Sequence, residues 1–132
     1  MHEITLRKRF SAAHNLREYR GKCERLHGHN YRVDIVLCSD RLNATGMVMD
    51  FQEVKRLAAL VTDKLDHAYL NEVAPFDDLN PTAENIACHI ADEMAARLPD
   101  GVSVKSVTCW ESEDCGATCV PEPGRRRKGK SR

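Results

Sequence analysis

Tyr31-Arg32-Val33-Asp34-Ile35-Val36-Leu37-Cys38 is the stretch that decides the fold. Tyr31, Val33, Ile35 and Leu37 fall on one side of an extended chain and Arg32 and Asp34 on the other, the two-residue period of a half-buried strand. Toward the N-terminus, Glu3 to Ala13 repeats the signal. There Ile4, Leu6, Phe10 and Ala12 oppose Glu3, Thr5, Arg7, Arg9 and Ser11. Between these strands residues 15–26 form a polar loop with Gly21 and Cys23. A loop of about twelve residues is longer than a hairpin turn requires, and such loops commonly carry function.

Toward the C-terminus the pattern turns helical. Asp50, with Glu53 three residues later, has the form of a capping box and predicts a helix that places Val54, Leu57, Ala58, Val61 and Leu65 on one stripe. A second helix is predicted from Asn80-Pro81-Thr82, with Pro81 suited to the first helical position, through Ile86, Ala87, Ile90, Ala91, Met94 and Leu98. After Asp100-Gly101, Val102 to Glu111 predicts a third strand and Gly116 to Val120 a fourth, joined through a turn at Ser112–Cys115. The order ββααββ implies an α+β layer: a four-stranded antiparallel sheet with two helices on one face. Its other face stays bare and two edges stay unpaired, so joining subunits into a closed barrel is the expected answer to the edges. One domain is expected over residues 1–120. Residues 121–132 have no apolar face and are expected to be a disordered tail.

Composition narrows the function. A chain of 132 residues with 42% hydrophobic and 30% charged residues can bury a core without help from a metal or disulfides. No apolar run approaches the ~18 residues of a membrane span, and Met1-His2-Glu3-Ile4-Thr5 does not open an export signal, so a cytoplasmic protein is expected. In that setting the six cysteines read as free thiols. Twenty basic and twenty acidic residues cancel, but residues 121–132 hold six of the basic ones against Glu122 alone. The body is therefore mildly acidic, which excludes nucleic acid as the expected ligand.

His27-Gly28-His29 carries the sharpest local chemistry, because residues two apart on an extended segment point the same way and can reach one ion. Catalytic zinc is usually held by three protein ligands with a fourth position open. His14 closes the first strand as His29 enters the second, so hairpin pairing would bring it alongside. Spacing alone fits equally well three histidines that only form hydrogen bonds. Cys23, four residues before His27, would be acidified by an adjacent dication and serve as base or nucleophile. It fits as well as a fourth ligand closing a structural site, or as an inert loop thiol. Asp66-His67 suits a proton-relay pair, or His67 caps the end of the helix. Glu111 follows Trp110 on the third strand, and Pro81-Thr82-Ala83-Glu84-Asn85 reads first as a helix start. Cys38, Cys88 and Cys109 fall in apolar segments and are expected in the core, while Cys115-x-x-x-Cys119 is spaced more widely than common zinc pairs. His2 and His89 read as bystanders, and Arg125–Lys128 as a solvated run.

Taken together, Phe10-Ser11-Ala12-Ala13-His14, Cys23-x-x-x-His27-Gly28-His29, Asp66-His67-Ala68-Tyr69-Leu70-Asn71, Pro81-Thr82-Ala83-Glu84-Asn85 and Trp110-Glu111 resemble the 6-pyruvoyl-tetrahydropterin synthase family, in order and spacing, over nearly residues 1–120. The three-residue gap between Cys23 and His27 resembles the bacterial branch, the 6-carboxy-tetrahydropterin synthases of queuosine biosynthesis. The resemblance implies a T-fold (tunnelling fold), with subunits forming a trimeric barrel, two trimers stacked into a homohexamer, and active sites between subunits. It further implies that His14, His27 and His29 bind zinc, that Cys23 accepts a proton, and that Asp66 and His67 form a relay. Glu111 would anchor the pterin and Thr82 would add a contact. The implied activity is that of a lyase turning 7,8-dihydroneopterin triphosphate into 6-carboxytetrahydropterin, acetaldehyde and triphosphate. Arg7, Arg9, Lys22 and Arg25 are unranked candidates for the triphosphate. The rivals are a pyruvoyl synthase that retains the side chain, and a non-enzymatic module in which zinc only stabilises the fold.

Overall fold

The computed structural model describes residues 1–19, 21 and 23–122. Lys22 and the basic stretch from residue 123 onward, including the Arg125–Lys128 run and most of the expected tail, lie outside the described residues. β1 (His2–His14) and β2 (His27–Ser39) pair antiparallel along their whole length, from His2 opposite Ser39 to His14 opposite His27. The apolar alternation selects this register. Leu6, Phe10 and Ala12 on β1 and Tyr31, Val33, Ile35 and Leu37 on β2 are all buried, and a slip of one residue would turn one of these sets to solvent. β2 begins at His27 rather than Tyr31, because the polar His27–Asn30 continues the ladder beyond the apolar run.

β3 (Ser103–Trp110) and β4 (Gly116–Cys119) complete a sheet of order β1-β2-β3-β4, antiparallel throughout. α1 (Phe51–Thr62) and α2 (Ala83–Ala95) bury Val54, Leu57, Ala58 and Val61 and Ile86, Ala87, Ile90, Ala91 and Met94. α1 packs against β1, and α2 against β3 and β4. Their caps differ from expectation. Asp50 caps α1 by accepting from the Gln52 N–H at 2.8 Å, but Glu53 turns away to pair with Arg56, so the reciprocal half of a capping box does not form. Thr82 is the N-cap of α2, its hydroxyl accepting from the Asn85 N–H at 3.1 Å. Pro81 therefore precedes the cap instead of opening the helix, which leaves its carbonyl free for another partner. Of the three cysteines expected in the core only Cys109 is buried, its thiol pushed up to about 12 by burial. Cys38 and Cys88 are half-buried.

Two connections position the site. The chain after α1 turns through His67, whose φ of 58° is left-handed, and runs along the outer edge of β1. The His67 N–H donates to the Ser11 carbonyl at 2.6 Å, the Ala13 N–H to the Ala68 carbonyl at 2.9 Å, and the Ser11 N–H to Asp66 Oδ1 at 3.0 Å. Among the described residues, only the site end of that edge is covered in this way. The loop after β1 is held by Arg17, whose guanidinium donates to the carbonyls of Phe76 (2.6 Å) and Asn71 (3.2 Å), and by Asn80, which brackets the Arg17 backbone. Tyr69 and Asn71 both bond Asn15, at 2.7 Å from the Tyr69 hydroxyl and 2.8 Å from Asn71 Nδ2.

Gly116 lies directly opposite Trp110, and a Cβ there would come within 2.7 Å of the indole. Gly116→Ala should therefore force the ring to move and cost ~1–3 kcal/mol, typical of overpacking, read as a fall in denaturation midpoint with little change in the slope.

Candidate metal centre and adjoining clefts

His14, His27 and His29 come together because the strand period turns all three to the helix-covered face, at the end of the sheet where the apolar run stops. His14 faces His27 directly, and Ala12, not His14, lies opposite His29. The three rings stand 4.7 to 5.0 Å apart between centroids, each pair nearly perpendicular. One nitrogen from each lies within 4.8 Å of the other two.

The surroundings dictate which nitrogens these are. His14 Nδ1 donates to the Pro81 carbonyl at 2.7 Å, the carbonyl released by the position of the α2 cap. His27 Nδ1 donates to the Arg25 carbonyl at 2.8 Å. With both Nδ1 atoms holding the proton, two Nε2 lone pairs face each other at 3.2 Å. His29 Nε2 is buried and has no hydrogen-bond partner among the described residues. Burial lowers the pKa of His29, with a further push from the neighbouring imidazoles against the opposing pull of Glu111, which favours the neutral, ligating ring. Facing lone pairs repel unless a cation lies between them. Bonds of about 2.1 Å from one tetrahedral ion set its ligand nitrogens about 3.4 Å apart, close to the 3.2 Å between His14 and His27. The donor set fits a metal ion, with carbonyls orienting two of the rings.

Glu111 follows the last residue of β3 and reaches this group, its carboxylate oxygens 3.8 Å from His29 Nε2 and 4.0 Å from His14 Nε2. With Thr82, Glu84, Leu16 and Cys115 it lines a cleft of about 240 Å³ at the start of α2. Asp66 and His67 lie elsewhere. They form a close pair, His67 Nδ1 to Asp66 Oδ1 3.0 Å, with the His67 ring largely exposed. His67 lines a larger cleft of about 490 Å³ with Ser11, Asn30 and Tyr69, and of the three clustered histidines only His29 borders it. Cys23 is exposed on the loop before β2, whose path is tied by the Glu24 N–H to the Leu16 carbonyl at 2.8 Å. Thus the structure gathers His14, His27, His29 and Glu111, pairs Asp66 with His67, and puts His67 and Glu111 in different clefts.

Sequence reasoning missed the residues that orient these groups: the carbonyls of Pro81 and Arg25, and Arg17, Asn15, Tyr69 and Asn71. Several of them lie inside the motifs that single out Asp66 and Thr82, and polar side chains repeated there were the available signal.

A four-stranded antiparallel sheet with both helices on one face and three imidazoles converging at its end defines an α+β protein suited to hold a metal ion. The sequence pattern of the 6-pyruvoyl tetrahydropterin synthase family matches residues 3–122, and the chain belongs to that family. It is 48% identical over 86 residues to the 6-carboxy-5,6,7,8-tetrahydropterin synthase of Synechocystis, covering 61% of this chain and 65% of that one. It is 34% identical to the dihydroneopterin monophosphate aldolase of Pyrococcus furiosus, covering 86% and 92%. Among solved structures, the 6-pyruvoyl tetrahydropterin synthase of Caenorhabditis elegans superposes with a TM-score of 0.76 at 25% identity, over 92% of this chain and 98% of that one. The expected T-fold architecture is the one observed. No helix among the described residues is long and apolar enough to cross a membrane.

Two outcomes follow from this geometry. His14→Ala should abolish stoichiometric metal binding, whereas Glu111→Gln should retain it; metal per chain by plasma emission spectroscopy checks both, and loss in Glu111→Gln would make that carboxylate a ligand. The Ser11 N–H holds the Asp66 carboxyl below its ordinary value, against a smaller desolvation effect. Its stabilising contribution is thus present above the unfolded pKa near 3.8 and disappears as pH falls through the lower folded value. Asp66→Ala should be less stable than the parent at pH 7 and by a smaller margin at pH 3. An equal deficit at both pH values in urea melts would contradict this.

Proposed function

We propose that the chain is a zinc-dependent 6-carboxy-5,6,7,8-tetrahydropterin synthase, a lyase converting 7,8-dihydroneopterin triphosphate and water into 6-carboxytetrahydropterin, acetaldehyde and triphosphate in queuosine biosynthesis. The observation that carries the reading is the convergence of His14, His27 and His29 beside Glu111. The product follows from the Synechocystis relative's name and from the Cys23-x-x-x-His27 spacing.

His14, His27 and His29 would hold zinc through the nitrogens described above, and zinc supplies Lewis-acid polarisation of the substrate's side-chain oxygens. Glu111 accepts two parallel hydrogen bonds from the guanidine-like edge of the pterin, fixing the ring, and Thr82 adds a contact in the same cleft. The Cys23 thiolate takes a proton from the side-chain carbon. Asp66 Oδ1 holds the proton on His67 Nδ1, leaving His67 Nε2 exposed to deliver or accept the second proton. Because His67 and Glu111 line different clefts of one chain, a complete site draws the Asp66–His67 pair and Glu111 from adjoining copies. Joining the open edges of β1 and β4 between subunits gives the trimeric barrel that two such rings complete as a hexamer. The setting is cytoplasmic.

A second reading, retro-aldol cleavage of a dihydroneopterin phosphate, is favoured by the Pyrococcus relative. Mass spectrometry after anaerobic incubation with 7,8-dihydroneopterin triphosphate separates the options. The proposal expects 6-carboxytetrahydropterin with acetaldehyde; a pyruvoyl pterin without aldehyde, or a hydroxymethyl dihydropterin with glycolaldehyde still carrying its phosphates, would replace it. Cys23→Ala should keep its zinc and lose ~10²-fold or more in rate, the usual cost of a positioned acid or base. If zinc is lost instead, Cys23 is a fourth ligand. Chelation should leave an inactive protein with unchanged circular dichroism, since its core is apolar and extensive.

A further inference from the structure

The bare face of the sheet contains a pairing that folding alone disfavours. Arg9 and Arg32 lie directly opposite each other on β1 and β2, where like charges repel. The neighbouring rungs are satisfied. Arg7, opposite Asp34, donates Nε to its Oδ1 at 2.9 Å, and the Ser11 hydroxyl, opposite Asn30, donates to Asn30 Oδ1 at 2.7 Å. Asp34 has little left for Arg32: its second oxygen accepts from Trp110 Nε1 at 3.2 Å and stands 3.9 Å from the Arg32 guanidinium. Arg32 lies over the Trp110 ring, 5.0 Å from its centroid, with Nε buried and without a hydrogen-bond partner among the described residues. Arg9 is exposed and makes no ion pair among the described residues.

Two opposed guanidiniums, one lying over an indole with an unsatisfied N–H, form a receptor for an oxyanion that can accept from both. We propose that Arg9 and Arg32 bind the phosphate tail of the substrate. The cleft beside His67 lies two residues further along the same face, at Ser11 and Asn30, about 6.8 Å away in strand rise. A side chain reacting beside His67, with its ring held by an adjoining copy, leads its phosphates down the face onto this pair. The assignment rests on the pterin phosphate reading. It also separates the arginines: Arg7 is engaged by Asp34, whereas Arg9 and Arg32 are not matched by a carboxylate of their own.

The test uses inorganic tripolyphosphate and inorganic phosphate as probes, titrated calorimetrically into the full-length, metal-loaded protein at low and moderate salt. Tripolyphosphate should bind more tightly than phosphate, and Arg9→Gln and Arg32→Gln should each weaken it about tenfold or more, while Lys55→Gln on the far helix binds as the parent does. Arg9 is exposed, so its variant stays folded and decides the matter if removing Arg32 disturbs Trp110. With dihydroneopterin triphosphate, Arg9→Gln should raise KM about tenfold with kcat within about twofold. Unchanged tripolyphosphate affinity in both variants overturns the anion site, whatever the enzyme turns over. Affinity lost in the variants, in a protein that does not turn over the triphosphate substrate, upholds the anion site and removes only the substrate assignment.

Discussion

The rung at which His14 meets His27 closes the β1–β2 ladder, and everything at the site depends on it. Cross-strand neighbours have Cβ atoms about 5 Å apart, which lets two imidazoles reach one point without any loop having to place them. His29 joins because it lies two residues along the same face. The register that fixes this rung is set some distance away, by Leu6, Phe10, Tyr31, Val33 and Ile35 turning into the core. Burial of the apolar face and assembly of the histidines are therefore one event, since a slip that exposed the core residues would also scatter the rings.

Strand pairing alone does not decide which nitrogens point inward. That falls to two backbone carbonyls, one just before the α2 cap and one in the loop before β2. Each accepts a hydrogen bond from Nδ1–H and so presents Nε2 to the shared space. Thr82 therefore serves the histidine cluster indirectly: by capping α2 itself it leaves the Pro81 carbonyl to His14. Arg17 ties the loop after β1 to the Phe76 and Asn71 carbonyls, while Asn15 and Asn71 donate to the Glu24 and Asn15 carbonyls, loop groups otherwise left to water.

The two faces of the sheet divide the labour. The covered face ends in the histidine cluster and Glu111, and the bare face carries the arginines, Asp34 and Trp110. Trp110 links them, because its ring is pinned on the bare face while the residue after it turns toward the histidines. The segment from Asp66 to Tyr69 covers one end of an open edge and sets His67 at the rim between the faces.

The amino-acid sequence by itself determined the element order, the side each strand buries, and the three histidines, because two-residue and helical periods are written in neighbouring positions. Tertiary structure decided what depends on groups distant in the chain. The Ser11 amide that lowers the Asp66 pKa is 55 residues away, and the carbonyl that orients His14 is 67 away. The same holds for β2 starting at His27, for Pro81 lying before its helix, and for the burial of Cys109 but not of Cys38 or Cys88. No local period records which carbonyl is left without a partner, or that Arg9 stands opposite Arg32. Those facts exist only once the strands are in register and the helices have closed over one face.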